Sequence, residues 1–221
     1  MNDINFYVRT TGERKFDYDI PYELIIDTER KPVEKYIETL ENKSDENFVL
    51  LEDDLVLCRN FEEEIKNVIS EYPNDIINFY TRPERYFTTH YDGIFSFNQC
   101  TYFPSGIGKK IAETMKSVRG IRHRNMYGMV LNDTLKQMGI RHLDYRPCLV
   151  QHIDGFSLLS NVRYSRQTIY FKDYLDDIGI TYDDAFKTEN EEKLKGILKE
   201  DILRWEEAKK NGLAPQKYLK K

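Results

Sequence analysis

The stretch Phe48-Val-Leu-Leu-Glu-Asp-Asp-Leu-Val-Leu57 decides the fold of this chain of 221 residues. Its first four residues form a continuous apolar run, which is typical of a strand that is buried on both faces of a sheet. Upstream, residues 33–40 carry apolar side chains at helical spacing, and two short β-rich runs, 4–8 and 22–26, precede them. This alternation of strand, helix and strand predicts a mainly parallel sheet with helices packed against it.

The rest of the chain continues the alternation. Residue spacing predicts further helices at 61–71, 106–116, 127–138 and 189–211, and further strands at 76–80, 95–103 and 148–152. We therefore expect an α/β fold of the Rossmann-like type, in which helices flank a mixed, mainly parallel sheet and a C-terminal helix follows. Residues 1–221 are expected to form a single domain, with a core of about 1–166 and a C-terminal helical extension over 167–221.

The net charge and the composition indicate which partners and which cellular location to expect. The formal net charge is −5 and the isoelectric point is about 5.5, which argues against a large nucleic-acid-binding surface. Two basic segments, 119–124 and 217–221, are local candidates for such a surface, and solvated surface is the alternative. Three widely spaced cysteines indicate reduced thiols. With no signal peptide or bilayer-spanning apolar run expected, we predict a cytoplasmic protein without a membrane span.

Polar side chains follow two of the apolar runs. Glu52, Asp53 and Asp54 come directly after the strand at 48–51, and burying three carboxylates together is costly without a cation. Oxygen ligands of this kind suit a hard divalent ion, and strand ends are where open α/β sheets bind ligands. A solvated acidic turn is the alternative. His152 follows the run at 148–151, where a packed core histidine is the alternative to a ligand.

The order of these motifs resembles that of glycosyltransferases of the GT-A fold, especially those with a Leu-Glu-Asp-Asp form of the DxD motif. Bacterial lipopolysaccharide-type and N-acetylglucosaminyltransferase-like enzymes are similar in this respect. The resemblance covers about residues 4–166 and is carried by ordered motifs. These are Val49-Leu-Leu-Glu-Asp-Asp54, Asn60-Phe61, Asp75-Ile-Ile-Asn-Phe79, Gln99-Cys-Thr-Tyr-Phe-Pro104, Asn132-Asp133 and Pro147-Cys-Leu-Val-Gln-His152.

The resemblance implies a role for individual residues. Glu52, Asp54 and His152 would hold Mn²⁺ or Mg²⁺, although Glu at the first position departs from the usual motif. The donor nucleotide would be held by a second group, in which Asp53 faces the ribose or sugar, and Arg163 or Arg166 closes over the diphosphate. The remaining members, which hold the base and ribose, are Arg9, Thr10 and Asp27. Asp133 is the candidate base for an inverting transfer, with a solvated helical aspartate as the alternative, and a retaining mechanism stays open.

The expected function is therefore that of a metal-dependent hexosyl- or pentosyltransferase. It would move a sugar from a nucleotide-sugar, with UDP as the expected nucleotide, to the hydroxyl group of a saccharide. One alternative is a viral-type glycosyltransferase that acts in the host cytoplasm on hydroxylated bases in DNA. Others are a metal-dependent phosphohydrolase or nucleotidyltransferase, and a non-catalytic binding module with a structural cation.

Overall fold

The computed structural model describes residues 3–80, 98–118, 127–153 and 167–213. The strands in these ranges are β1 (Ile4–Thr10), β2 (Glu23–Ile26), β3 (Asn47–Glu52), β4 (Leu55–Leu57), β5 (Ile76–Asn78), β6 (Cys100–Phe103), β7 (His142–Asp144) and β8 (Val150–His152). The helices are α1 (Pro32–Asn42), α2 (Phe61–Glu71), α3 (Gly108–Val118), α4 (Tyr127–Met138), α5 (Lys172–Ile178) and α6 (Thr188–Lys210).

Six of the described strands form one sheet in the order β2-β1-β3-β6-β5-β7. Strands β2, β1 and β3 pair in parallel, as do β5 and β7, while β6 lies antiparallel between β3 and β5. Five strands therefore run in one direction, and their last residues share one edge with the first residue of β6. We call this the carboxyl edge. The expected fold class is confirmed: the protein is α/β and Rossmann-like, with a mixed, mainly parallel sheet and a C-terminal helix.

The sheet separates two hydrophobic cores. In β3, Val49 and Leu51 pack in the core that also contains residues of α2, α5 and α6, while Phe48 and Leu50 pack in the core with α1, α3 and α4. All four side chains are buried, so the apolar run has no solvent-facing side. Alternate side chains of a strand point to opposite faces, and this places β3 in the centre of the layers.

A short second sheet connects the end of β3 to the end of β8. Strand β4 pairs antiparallel with β8, with Leu55 opposite His152. The amide of Ile153 also donates to the carbonyl oxygen of Asp54 at 2.8 Å. The strand expected at 148–152 therefore forms over its last three residues, and it lies outside the main sheet. This pairing brings a segment about 100 residues downstream against the acidic turn.

Candidate metal centre at the carboxyl edge

The acidic triplet and His152 meet at the carboxyl edge. Glu52 ends β3, Asp53 and Asp54 form the turn into β4, and His152 ends β8. One ligand atom each from Glu52, Asp54 and His152 lies within 4.8 Å of the others, which is close enough for one ion. The structure thus brings together the three residues that the resemblance implied as metal ligands.

His152 has the surroundings of a ligand rather than of a satisfied core residue. Its side chain is only 6% exposed, and its Nε2 lies 3.3 Å from Asp54 Oδ2. That contact lacks hydrogen-bond geometry, and neither ring nitrogen hydrogen-bonds to any part of the chain that the structure describes. Leaving buried polar groups unsatisfied costs about 1–3 kcal/mol each, so these nitrogens favour a ligand. The donor set of two carboxylates and one imidazole fits a divalent cation such as Mn²⁺ or Mg²⁺.

Neighbouring groups hold β8 and the acidic turn in place. The Gln151 side chain faces away from the site, where its Nε2 donates to the Thr168 carbonyl oxygen at 2.6 Å and its Oε1 accepts from the Thr168 amide at 2.9 Å. Under the turn, the Tyr18 hydroxyl donates to the carbonyl oxygen of Glu52 at 2.6 Å and accepts from the Leu55 amide at 3.1 Å. Burial raises the pKa of Tyr18 well above its usual value, which keeps this hydroxyl a donor.

Arg14 is a site residue that the sequence reasoning missed. Its Nη1 donates to Asp53 Oδ1 at 2.8 Å and to Asp54 Oδ2 at 2.7 Å. Burial works to lower the pKa of Arg14, but the negative charges of Asp54 and Asp53 outweigh it and raise the pKa. Arg14 lies in the irregular segment between β1 and β2, where neither periodicity nor a motif marks it. Its only signal is a position four residues after a strand that ends at the carboxyl edge.

Asp53 joins the turn to β1 rather than facing the three candidate ligands. Its Oδ2 accepts a hydrogen bond from Thr10 Oγ1 at 2.6 Å, while its Oδ1 accepts from Arg14. Burial, and after it the charge of Asp54, raises the pKa of Asp53, while Arg14 and Thr10 lower it. Both carboxylate oxygens are engaged within the protein, which fixes the turn relative to the end of β1.

Arg9, Thr10 and Asp27 form a polar shelf beside the acids. The Arg9 guanidinium lies 4.0 Å from the ring centroid of Tyr127, and its Nη2 lies 3.9 Å from Glu52 Oε1. Arg9 Nη1 is buried without a hydrogen-bond partner among the described residues. The amide of Asp27 donates to the Thr10 carbonyl oxygen at 2.8 Å. The three residues that the resemblance assigned to base and ribose binding therefore adjoin the candidate metal ligands.

Of the other predicted site residues, only Asp133 lies in the part of the chain that the structure describes, and it does not belong to this cluster. Asp133 is half-buried in α4, where its Oδ1 accepts from Asn132 Nδ2 at 3.3 Å. Helix α4 begins at Tyr127, which lies beside Arg9 at the carboxyl edge. The helix runs towards the opposite edge of the sheet, where β7 begins. Asp133 lies six residues along it, about 9 Å from Tyr127 along the helix axis. Its role as a base stays a prediction. Arg163, Arg166 and the basic segments 119–124 and 217–221 lie outside the described residues.

No protein-family model matches the chain, and no curated protein matches it either. Within the ranges that the structure describes, no helix has the length and apolar character needed to cross a membrane. The geometry at the carboxyl edge therefore carries the functional argument.

Proposed function

We propose that this chain is a metal-dependent glycosyltransferase, which moves a sugar from a UDP-sugar to a hydroxyl group of a saccharide acceptor. One observation carries the proposal. Asp54 and the buried imidazole of His152, which has no hydrogen-bond partner among the described residues, converge at the carboxyl edge of an α/β sheet, next to the polar shelf of Arg9, Thr10 and Asp27. Ligands of open α/β sheets bind at this edge.

Each group of residues would have a different role in binding the donor. Glu52, Asp54 and His152 would hold the cation, which when bound neutralises charge on the diphosphate leaving group. The Arg9 guanidinium lies over the Tyr127 ring, and its buried Nη1 would offer a donor to a base or ribose oxygen. Thr10 and Asp27 are fixed to each other through the backbone and would set the position of the ribose.

The first test is a thermal-unfolding screen of the purified protein against nucleoside diphosphates, with and without Mn²⁺. We expect UDP with Mn²⁺ to raise Tm by about 5–10 °C at a hundredfold excess over Kd, and UDP alone to give little change. Asp54→Asn should lose this shift because it removes a ligand charge. Asp177→Asn is the matched control, since Asp177 is an exposed carboxylate paired with Arg59. A shift that survives in Asp54→Asn would contradict the proposal.

The second test identifies the reaction. UDP-sugars are incubated with Mn²⁺ and a panel of saccharide acceptors or hydroxylated DNA, and the released nucleotide is identified. Release of UDP that depends on the acceptor supports sugar transfer, and the responsive acceptor identifies its class. Release of UMP or pyrophosphate would instead indicate a phosphohydrolase or nucleotidyltransferase. Cation binding without any nucleotide effect would indicate a binding module.

A further inference from the structure

Arg14 and the proposed cation compete for the same carboxylate oxygen. Asp54 Oδ2 accepts from Arg14 Nη1 at 2.7 Å and lies 3.3 Å from His152 Nε2. Cations of this class bind carboxylate oxygen and imidazole nitrogen at about 2.0–2.2 Å. An ion at that distance from Asp54 Oδ2 would lie within about 5 Å of the guanidinium nitrogen, and two positive charges that close repel each other.

The Arg14 side chain is the most exposed member of this group. It is 28% exposed, whereas the side chain of Asp54 is 11% exposed and that of His152 is 6% exposed. Its backbone lies in the irregular segment between β1 and β2, while Asp54 and His152 are fixed by the β4–β8 pairing. When a cation binds, Arg14 is therefore the residue that moves to reduce the repulsion, by leaving Asp54 while keeping its contact with Asp53.

The donor offers the guanidinium a new partner. Arginine binds phosphate oxygens in a two-pronged manner, and the diphosphate of a bound donor would adjoin the cation that displaces Arg14. We infer that Arg14 holds the cation site closed in the free protein, and moves onto the diphosphate when cation and nucleotide bind together. This inference rests on the proposed function. Each ligand should then raise the affinity for the other, because both favour the displaced position of Arg14.

The experiment begins with Mn²⁺ alone, measured by titration calorimetry or by electron paramagnetic resonance of free Mn²⁺. Arg14→Met keeps the length of the side chain but removes its charge, and we expect it to bind Mn²⁺ at least tenfold more tightly than the unmodified protein. Arg14→Lys keeps the charge and should bind Mn²⁺ as weakly as the unmodified protein. Arg59→Met, which removes an arginine from a pair with Asp177 elsewhere on the surface, should change nothing.

UDP is then titrated in saturating Mn²⁺. Arg14→Met and Arg14→Lys should both bind UDP about tenfold more weakly, since neither retains the guanidinium fork. Unchanged or weaker Mn²⁺ binding by Arg14→Met would overturn the inference, as would unchanged UDP affinity. If Arg14→Met is unfolded without cation, Mn²⁺ should restore its fold, and failure to do so would also overturn it. Should no form of the protein bind Mn²⁺, the proposed function itself fails.

Discussion

Two acidic clusters of this protein look alike in sequence and differ in structure. The first is the edge cluster of Glu52, Asp53 and Asp54, with Arg14 and His152 beside it. The second, which we call the α5 cluster, consists of Asp173, Asp176 and Asp177 with Arg59 and Lys172. Each has three carboxylates within five residues and a nearby arginine, so counting charges along the chain does not separate them.

In the α5 cluster every carboxylate has a partner that accounts for it. Asp173 accepts from the Arg59 amide at 3.0 Å, Asp177 pairs with Arg59 Nη1 at 2.7 Å, and Asp176 pairs with Lys172 Nζ at 2.7 Å. The Arg59 side chain is 54% exposed, and exposed pairs of this kind contribute little to stability. The comparison teaches that a buried histidine whose two ring nitrogens lack a hydrogen-bond partner among the described residues, rather than the number of acids, distinguishes a candidate metal centre from a solvated charge network.

The largest expected effect comes from separating the two buried histidines. His152→Gln should weaken Mn²⁺ binding about 100-fold, because it removes one of the three proposed ligands, whose ring nitrogens have no hydrogen-bond partner among the described residues. His142→Gln is the matched control: His142 is also buried and lies 3.7 Å from Asp144, but it is not part of the edge cluster. Calorimetric titration with Mn²⁺ measures both. Equal losses in the two variants would show that His152 has no specific role in binding the cation.

A smaller effect is expected on stability. Thr10→Val removes the hydroxyl that donates to the buried Asp53 at 2.6 Å, and should lower the free energy of unfolding by about 1–2 kcal/mol. Thr181→Val removes a similar bond to Asp184 at 2.8 Å on the surface, and should cost less than about 0.5 kcal/mol. Urea unfolding of both variants without cation measures the difference. A larger loss from Thr181→Val would show that burial does not set the value of these bonds.

The smallest expected effect is a change of stability with pH that comes from Asp173, the least exposed carboxylate of the α5 cluster. Burial raises the pKa of Asp173, which the Arg59 amide and side chain only partly offset. The native state therefore holds this proton at a pH where the unfolded chain has released it, so that stability falls as pH rises from about 4 through the raised pKa. Asp173→Asn does not titrate, and its unfolding free energy should improve relative to the unmodified protein between pH 4 and pH 7. Urea unfolding at both values should show this, whereas a constant or opposite difference would be inconsistent with the shift.

Much of the fold follows from local patterns. The run at 48–51 predicted a strand buried on both faces, and β3 lies between the two cores. The antiparallel direction of β6 did not follow, since an apolar run has no direction until its neighbours are known. Strand β7 has only three residues, too few to show a period. The need for glycine at position 108 could not be predicted either. A Cβ on Gly108 would lie 2.4 Å from the Leu40 carbonyl oxygen, because helices α1 and α3 approach closely, and such an approach is a tertiary property.

The candidate site was also predictable only in part, because it too depends on tertiary contacts between distant segments. Glu52, Asp54 and His152 were predicted from a motif order that resembles that of a known family, and the structure brings the three residues together. Arg14 could not be found, because its contact with Asp53 and Asp54 depends on how an irregular segment folds back over the turn. Asp133 came from the same motif order, and it lies six residues along α4 from the Arg9 end of that helix.

The β4–β8 ladder has only three residue pairs, so the contacts beside it also help to set its alignment. A shift by one residue would put Gln151 opposite Leu55, turn the His152 ring to the far face and break the bonds of Gln151 to Thr168. A cation held by both Asp54 and His152 would bind only the correct alignment, and its binding free energy would be added to that alignment alone. The bound ion would then stabilise only those chains in which β4 and β8 are correctly aligned, before any substrate binds.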